Sequence, residues 1–320
     1  MPTFASTHTD TLLTRFSRQY PLGSGFVGLS ILPEVPVGKE SGLYFRYNKG
    51  DQARIPYTKR ALRTESRRVT WRVDTNSFKC EEYALNDLID DREYQQADSP
   101  LNLQRDTVDN LQRLMRLDRE KRIYDIVSNT SNLTKNTTLT GTNQWRDAAA
   151  SGATATPLED FETGAESIRS DTGLKPNLAV FGQAAWLAFI KTDEVIDKMT
   201  TPGGAWGGPV ITEAMALTLM APYGITQVLV ADQIQNTAGQ GVTDSFSDVW
   251  ADEVLLAFVN PRPGLKSVTL GLTFLSRRWE VRRAREDKAH SDWFEPSYVA
   301  DEHLVAADVG YLIKDVSDGT

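Results

Sequence analysis

Cysteine is almost absent. The 320-residue chain contains one, Cys80, so no disulfide can close within it. A run of about 18 apolar residues, the minimum for a membrane-spanning helix, is also missing. Met1 to Asp10 lacks the basic start and apolar stretch of a signal peptide, so the chain is expected to be made and kept in a bacterial cytoplasm. Positive charge is outnumbered: 35 Lys and Arg stand against 43 Asp and Glu, a net charge of −8. A protein built to grip DNA by its phosphates carries the opposite balance.

Catalytic constellations are equally scarce. The three histidines, His8, His290 and His303, have no zinc-ligand spacing, and no H-E-x-x-H occurs. Neither a G-x-S-x-G elbow nor a Walker loop is present. Gly23-Ser24-Gly25-Phe26-Val27-Gly28 matches G-x-G-x-x-G. A dinucleotide site needs a strand before that motif and a helix after it. Here Leu29 to Val35 follows, with Pro33 and Pro36, so a flexible arm is the better reading. Cys80 precedes Glu81 and Glu82, whose charges oppose a reactive thiolate; a small buried side chain is expected. No catalytic, metal or cofactor residue is assigned.

What the chain does contain is mixed α and β, without the regular alternation of a doubly wound sheet. Hydrophobic residues make up 40% and charged residues 24%, ordinary for a globular protein. Residues 1–38 carry Pro2, Pro21, Gly23, Gly25, Gly28, Pro33 and Pro36 between short apolar runs and read as an arm lying across something else. Val35 and Val37, Leu43-Tyr44-Phe45, and the alternation of Val69, Trp71 and Val73 read as two strands around a polar tip. That hairpin is longer than a compact domain needs. Glu81 to Tyr94 reads as partly helical. Ser99 as N-cap and Pro100 at the first helical position open a helix. Val108, Leu111, Met115, Ile123 and Ile126 carry it to about residue 129, a span of about 45 Å at 1.5 Å per residue. Further helices are expected over 157–170, 183–199 and 211–220, and strands over 177–181, 225–231 and 249–259. A mobile glycine-rich loop is expected at Gly203–Gly208. Leu270 to Leu275, Trp279 to Val281 and Val309 to Ile313 read as apolar stretches of the last part of the chain.

Charge is segregated along the chain. Arg54, Lys59, Arg60, Arg63, Arg67, Arg68 and Arg72 are opposed only by Glu65, whereas Glu81, Glu82, Asp87, Asp90, Asp91 and Glu93 are opposed only by Arg92. A basic hairpin beside an acidic segment invites pairing, within a chain or between neighbours. Binding of DNA by the hairpin is the rival reading. A second basic cluster, Arg277, Arg278, Arg282, Arg283 and Arg285, is interleaved with Glu280, Glu286 and Asp287. It reads as a salt-bridged surface.

This order of elements resembles that of tailed-bacteriophage major capsid proteins. Three phrases are similar to theirs: Lys79-Cys80-Glu81-Glu82-Tyr83-Ala84-Leu85, Lys175-Pro176-Asn177-Leu178-Ala179-Val180-Phe181-Gly182 with the following Ala184-Ala185-Trp186-Leu187, and Asp248-Val249-Trp250. The resemblance implies an α+β, Hong Kong 97-type capsid fold. Its parts would be an N-terminal arm (1–38), an extended E-loop hairpin (39–76), a peripheral domain with a spine helix (77–156, helix about 99–129), an axial domain (157–255) and C-terminal peripheral strands (256–320). It implies self-assembly into hexamers and pentamers of an icosahedral head enclosing double-stranded DNA, with the basic E-loop and the acidic segment as inter-subunit contacts. Expected partners are copies of the chain, scaffolding, portal and decoration proteins, and DNA by non-specific proximity, with no membrane. The first 38 residues do not look like a cleaved scaffolding segment, so a separate scaffold or none is expected. Lys59 alone does not imply a covalent cross-link, and none is expected. Two other readings stay open: an encapsulin-like nanocompartment shell, and an α+β enzyme without a recognisable site.

Overall fold

The computed structural model describes residues 8–9, 25–47, 50, 53–70, 73–96, 102–145, 155–199, 211–239, 241–264 and 268–317. In chain order the first elements are β1 (His8–Thr9), α1 (Gly28–Ile31), β2 (Glu34–Pro36), β3 (Ser41–Tyr47), β4 (Val73–Lys79), β5 (Glu81–Ala84), β6 (Asp87–Asp90) and α2 (Asp91–Gln96). The long helix α3 (Leu103–Val127) follows, then β7 (Asn136–Thr138), α4 (Pro157–Thr172), β8 (Leu178–Gly182), α5 (Gln183–Lys191) and α6 (Asp193–Met199). After them come α7 (Glu213–Met220), β9 (Gln227–Ala231), β10 (Ile234–Asn236), β11 (Phe246–Asp248), β12 (Val254–Ala257), β13 (Gly271–Glu286), β14 (Ser291–Leu304) and β15 (Gly310–Lys314).

Two sheets organise these elements. One is mixed, in the order β7-β15-β12-β8-β9. Its strands β8 and β12 are buried throughout, as a strand covered on both faces requires. The Trp145, Phe161, Phe181 and Phe189 rings pack edge-on and tilted around it. Asp160 accepts the Trp145 Nε1–H at 2.8 Å, so the one polar atom of that indole is satisfied. The second sheet is built on the long β13–β14 hairpin, with β1, β2, β5 and β6 along it.

Helix α3 joins the two sheets. Val108 packs with Ile89, Val281 and Phe294, Met115 with Leu275, Tyr298 and Ala300, and Ile123 and Val127 with the Trp250, Val180 and Leu255 cluster of the other sheet. Its N-cap is Asn102, whose Oδ1 accepts from Arg105 N at 3.3 Å. The sequence expectation placed the cap at Ser99 and Pro100; both lie outside the described residues, and the helix starts at Leu103. Over 25 residues it is about 37 Å long.

Other expectations are corrected. Glu81 to Tyr94 is helical in part, as expected, but only from Asp91; Glu81 to Asp90 forms β5 and β6, because β14 offers a paired edge to Glu81–Ala84 and again to Asp87–Asp90. The helix expected over 183–199 breaks at Thr192, which turns extended at ψ 136°. There Thr192 Oγ1 bonds Ala188 O at 3.0 Å while its carbonyl starts α6. The strand expected over 249–259 is confined to Val254–Ala257. Gly271–Leu275 of the expected 270–275 stretch and Trp279–Val281 are parts of the single strand β13, separated by register shifts between Leu275 and Glu280. Strand β14 falls within the C-terminal strands expected over 256–320, but no residue pattern had singled out Ser291–Leu304. The helix expected over 157–170 runs to Thr172 and stops at Gly173, whose φ of 74° closes it. The Gly203–Gly208 loop lies outside the described residues.

The end of the arm is interior rather than free. Val27, Ile31, Leu32 and Val35 are buried against α3 and the two sheets. The glycine motif meets its anion within the chain. Val27 N and Gly28 N, opening α1, both donate to the carboxylate of Glu120, at 3.2 Å and 2.9 Å. A Cβ at Gly28 would lie 2.8 Å from both Glu120 Oε2 and Ile123 Cδ1, so a larger residue there would have to displace those two side-chain ends.

Candidate assembly surface

Strands β3 and β4 pair antiparallel from Ser41↔Lys79 to Tyr47↔Val73 and form a two-stranded sheet of their own. A two-stranded hairpin is marginal in water unless something anchors it. Its root is anchored: Tyr44 and Phe78 point inward onto Phe274, with ring centroids 5.4 Å and 4.4 Å apart. Lys79 N donates to Asp301 Oδ2 at 2.8 Å, and Cys80 N to Glu40 O at 2.7 Å. His303 Nε2 lies 3.2 Å from the same Asp301 oxygen, and that contact holds the imidazole above its usual range. The strand alternation that buries Tyr44 leaves Leu43 and Phe45 on the outer face, exposed.

Beyond the root, residues 53–70 are exposed at every position. Ile55 is 94% and Leu62 93% accessible, and Tyr57 and Val69 are also exposed. The loop reverses at Arg63, which takes φ 66°. Thr64 closes the turn, both N and Oγ1 donating to Ala61 O, at 3.3 Å and 2.9 Å. Arg54, Lys59, Arg60, Arg63, Arg67 and Arg68 enter no ion pair among the described residues. Arg72 lies outside them.

The acidic segment is spent mostly on its own chain. Glu82 pairs with Arg277 and lies 3.8 Å from Arg282. Asp91 pairs with Arg285 at 2.5 Å, a contact that lowers its carboxyl pKa. Asp87 accepts from Leu88 N and Asp90 from Arg92 N, both at 2.8 Å. Glu81 is exposed on β5. Within one chain, then, the acidic segment meets the second basic cluster, and among the described residues no hairpin cation pairs with it.

Sequence reasoning missed the junction on α3. Glu120 accepts Trp250 Nε1–H at 2.9 Å besides the two α1 amides. Burial raises its pKa, against the pull of those hydrogen bonds. Arg119 lies 2.9 Å from Glu34 and 3.4 Å from Glu302. Arg122 reaches Glu302 and Tyr298 OH, at 3.2 Å and 2.8 Å, and its guanidinium sits 3.7 Å from the Tyr83 ring centroid. The signal was present in the helix pattern: charged residues at 119 and 120 fall on the stripe running from Val108 through Met115 to Ile123. Cys80 is buried, and burial foremost, then Asp301, pushes its pKa up to about 11. The flanking Glu81 and Glu82 are not the cause. Among the described residues no cluster could hold a metal, and no helix is long and apolar enough to cross a membrane.

No family model matches the chain. It is 26% identical over 318 residues, 96% of each chain, to the major capsid protein of Burkholderia phage BcepMu. Its structure is similar to a phage-related protein from Bordetella bronchiseptica, with TM-score 0.74, 22% identity and coverage of 98% of this chain and 99% of that one. It is also similar to the mature capsid of bacteriophage PhiM1, with TM-score 0.58, 12% identity and coverage of 92% and 88%. This is the Hong Kong 97-type capsid fold of tailed-phage major capsid proteins. The sheet of β13 and β14 holds the root of the hairpin, and the far end exposes apolar side chains and cations that enter no ion pair among the described residues.

Proposed function

We propose that this chain is the major capsid protein of a tailed phage, assembling through hexamers and pentamers into an icosahedral shell around double-stranded DNA. The observation that carries the reading is the loop 53–70, exposed throughout and rich in apolar and cationic side chains, on a fold shared with phage capsids over nearly the whole chain. In this reading residues 1–38 serve as the arm, 39–76 as the E-loop, 77–156 and 256–320 as the peripheral domain, and 157–255 as the axial domain. Arg54, Lys59, Arg60, Arg63, Arg67, Arg68 and Arg72 make inter-subunit contacts. Glu81, Asp87 and Asp90 meet cations of a neighbour more readily than Glu82 and Asp91, which already have partners in their own chain. Individual exposed ion pairs contribute only about 0–1 kcal/mol, so their role is register. Overlapping hairpins link each copy to several others, and multivalency gives the shell its strength. The role is structural, with no catalytic step. Assembly takes place in the host cytoplasm with scaffolding and portal proteins, and DNA lies against the inner wall without sequence-specific contact.

An encapsulin-like shell would use the same fold; the full-length likeness to a phage major capsid protein favours the phage reading. Electron microscopy of the expressed chain, with and without a candidate scaffold, tests the proposal. Replacing Arg60, Arg63, Arg67 and Arg68 by Glu should give folded subunits and no shells; normal particles from that variant would remove the hairpin from the mechanism.

A further inference from the structure

The β10–β11 hairpin stands apart from both large sheets. Ile234 pairs with Asp248 and Asn236 with Phe246, so these four residues share one face. Ile234 and Phe246 are diagonal neighbours there, 52% and 64% exposed, and Val242 near the turn is 67% exposed. The hairpin is nevertheless well made. Thr237 N donates to Ser245 O at 2.8 Å, Val242 N to Gly239 O at 3.1 Å, and Asn236 Nδ2 to Asp244 Oδ1 at 2.7 Å. Neighbouring exposed apolar side chains on an ordered element mark a contact surface.

Charge says what covers it. No Lys or Arg occurs between Lys198 and Arg262, while Asp232, Asp244 and Asp248 frame the hairpin. The loop 53–70 is its complement, with six cations against Glu65, and it carries Ile55, Tyr57, Leu62 and Val69 exposed among them. Among the described residues no ion pair joins the two within one chain. Opposite potentials steer such surfaces together and fix their register, and apolar side chains on both sides supply the burial.

We propose that the β10–β11 hairpin is the seat for the 53–70 loop of a second copy of this chain. Ile234, Val242 and Phe246 receive its apolar side chains, and Asp232, Asp244 and Asp248 face its arginines and Lys59. The proposal rests on the shell reading and adds the receiving surface to it.

Wild-type particles provide the test. Lys59 is the single lysine between residues 50 and 78. A carbodiimide joins its amine to a neighbouring carboxylate as an amide, leaving as its urea. Expected is a covalent ladder of subunit multiples, mapped by mass spectrometry to Lys59 linked with Asp232, Asp244 or Asp248. Particles that yield no such link overturn the seat and leave the shell reading standing; absence of particles from the wild-type chain defeats the shell reading itself. A charge swap checks the same point. The Arg60→Glu, Arg63→Glu, Arg67→Glu, Arg68→Glu set and the Asp232→Lys, Asp244→Lys, Asp248→Lys set should each cut particle yield at least about tenfold, and their combination should recover most of it. Folded combined subunits that recover nothing overturn the proposal.

Discussion

Replacing Ile55 and Leu62 together by Ser should leave the subunit as stable as before and weaken its assembly severely. Both side chains are almost wholly exposed in the single chain, so the folded state loses no packing when they go, and surface changes of this kind stay within about 0.5 kcal/mol. In the shell each is expected to be covered by a neighbour. Full burial of an Ile or Leu side chain stabilises by about 1.5–3 kcal/mol, so the pair forfeits about 3–6 kcal/mol per contact. At about 1.4 kcal/mol per tenfold, that weakens the contact by about a hundredfold to ten-thousandfold. The critical concentration for shell formation, read by light scattering and by the void fraction in size exclusion, should rise accordingly, while thermal unfolding of unassembled subunits stays unchanged. Phe274→Ala gives the opposite pattern. Phe274 is the ring under the hairpin root, and its loss should cost about 3–5 kcal/mol of subunit stability. An unchanged critical concentration for the double Ser variant, with particles of normal shape, would refute the argument that this loop is covered in the shell.

Two further outcomes follow from the interior. Burial raises the pKa of Glu120 in the folded chain. Its contribution to stability is therefore fully present below its unfolded value near 4.5 and is lost as pH rises through the folded value. Glu120→Gln does not titrate, so denaturation of unassembled subunits should show wild type losing ground to the variant with rising pH across that window; a pH-independent difference would contradict the raised pKa. Cys80, with its pKa pushed up to about 11 by burial, should resist a thiol reagent at pH 8 in folded subunits and react at once in denaturant; rapid labelling of the folded subunit would show that the root of the hairpin opens.

Local pattern made much of this chain readable. The Leu43-Tyr44-Phe45 run marked the first hairpin strand, whereas the second, expected from the alternation of Val69, Trp71 and Val73, begins only at Val73 and runs to Lys79; the three-and-four spacing from Val108 to Ile123 marked the long helix. Proline at 157 and glycine at 173 bracketed α4. Runs of one charge sign picked out the exposed loop, because a cation-rich stretch with no local counter-charge has no way into a core. Features that depend on distant partners were not readable. Glu81 to Asp90 is polar enough for a helix, and only the edge of β14 makes it strand. Glu120 looks like a surface carboxylate until Val27, Gly28 and Trp250 are brought around it. The acidic segment looked free for the basic hairpin; the return of β13 brings Arg277 and Arg285 to it instead. Sequence by itself determines the local leaning of most segments towards helix, strand or solvated charge, because those preferences are set by neighbours a few residues away. Tertiary structure alone decides which charges neutralise each other and which are left for another molecule, because that depends on which distant strands the sheet places side by side.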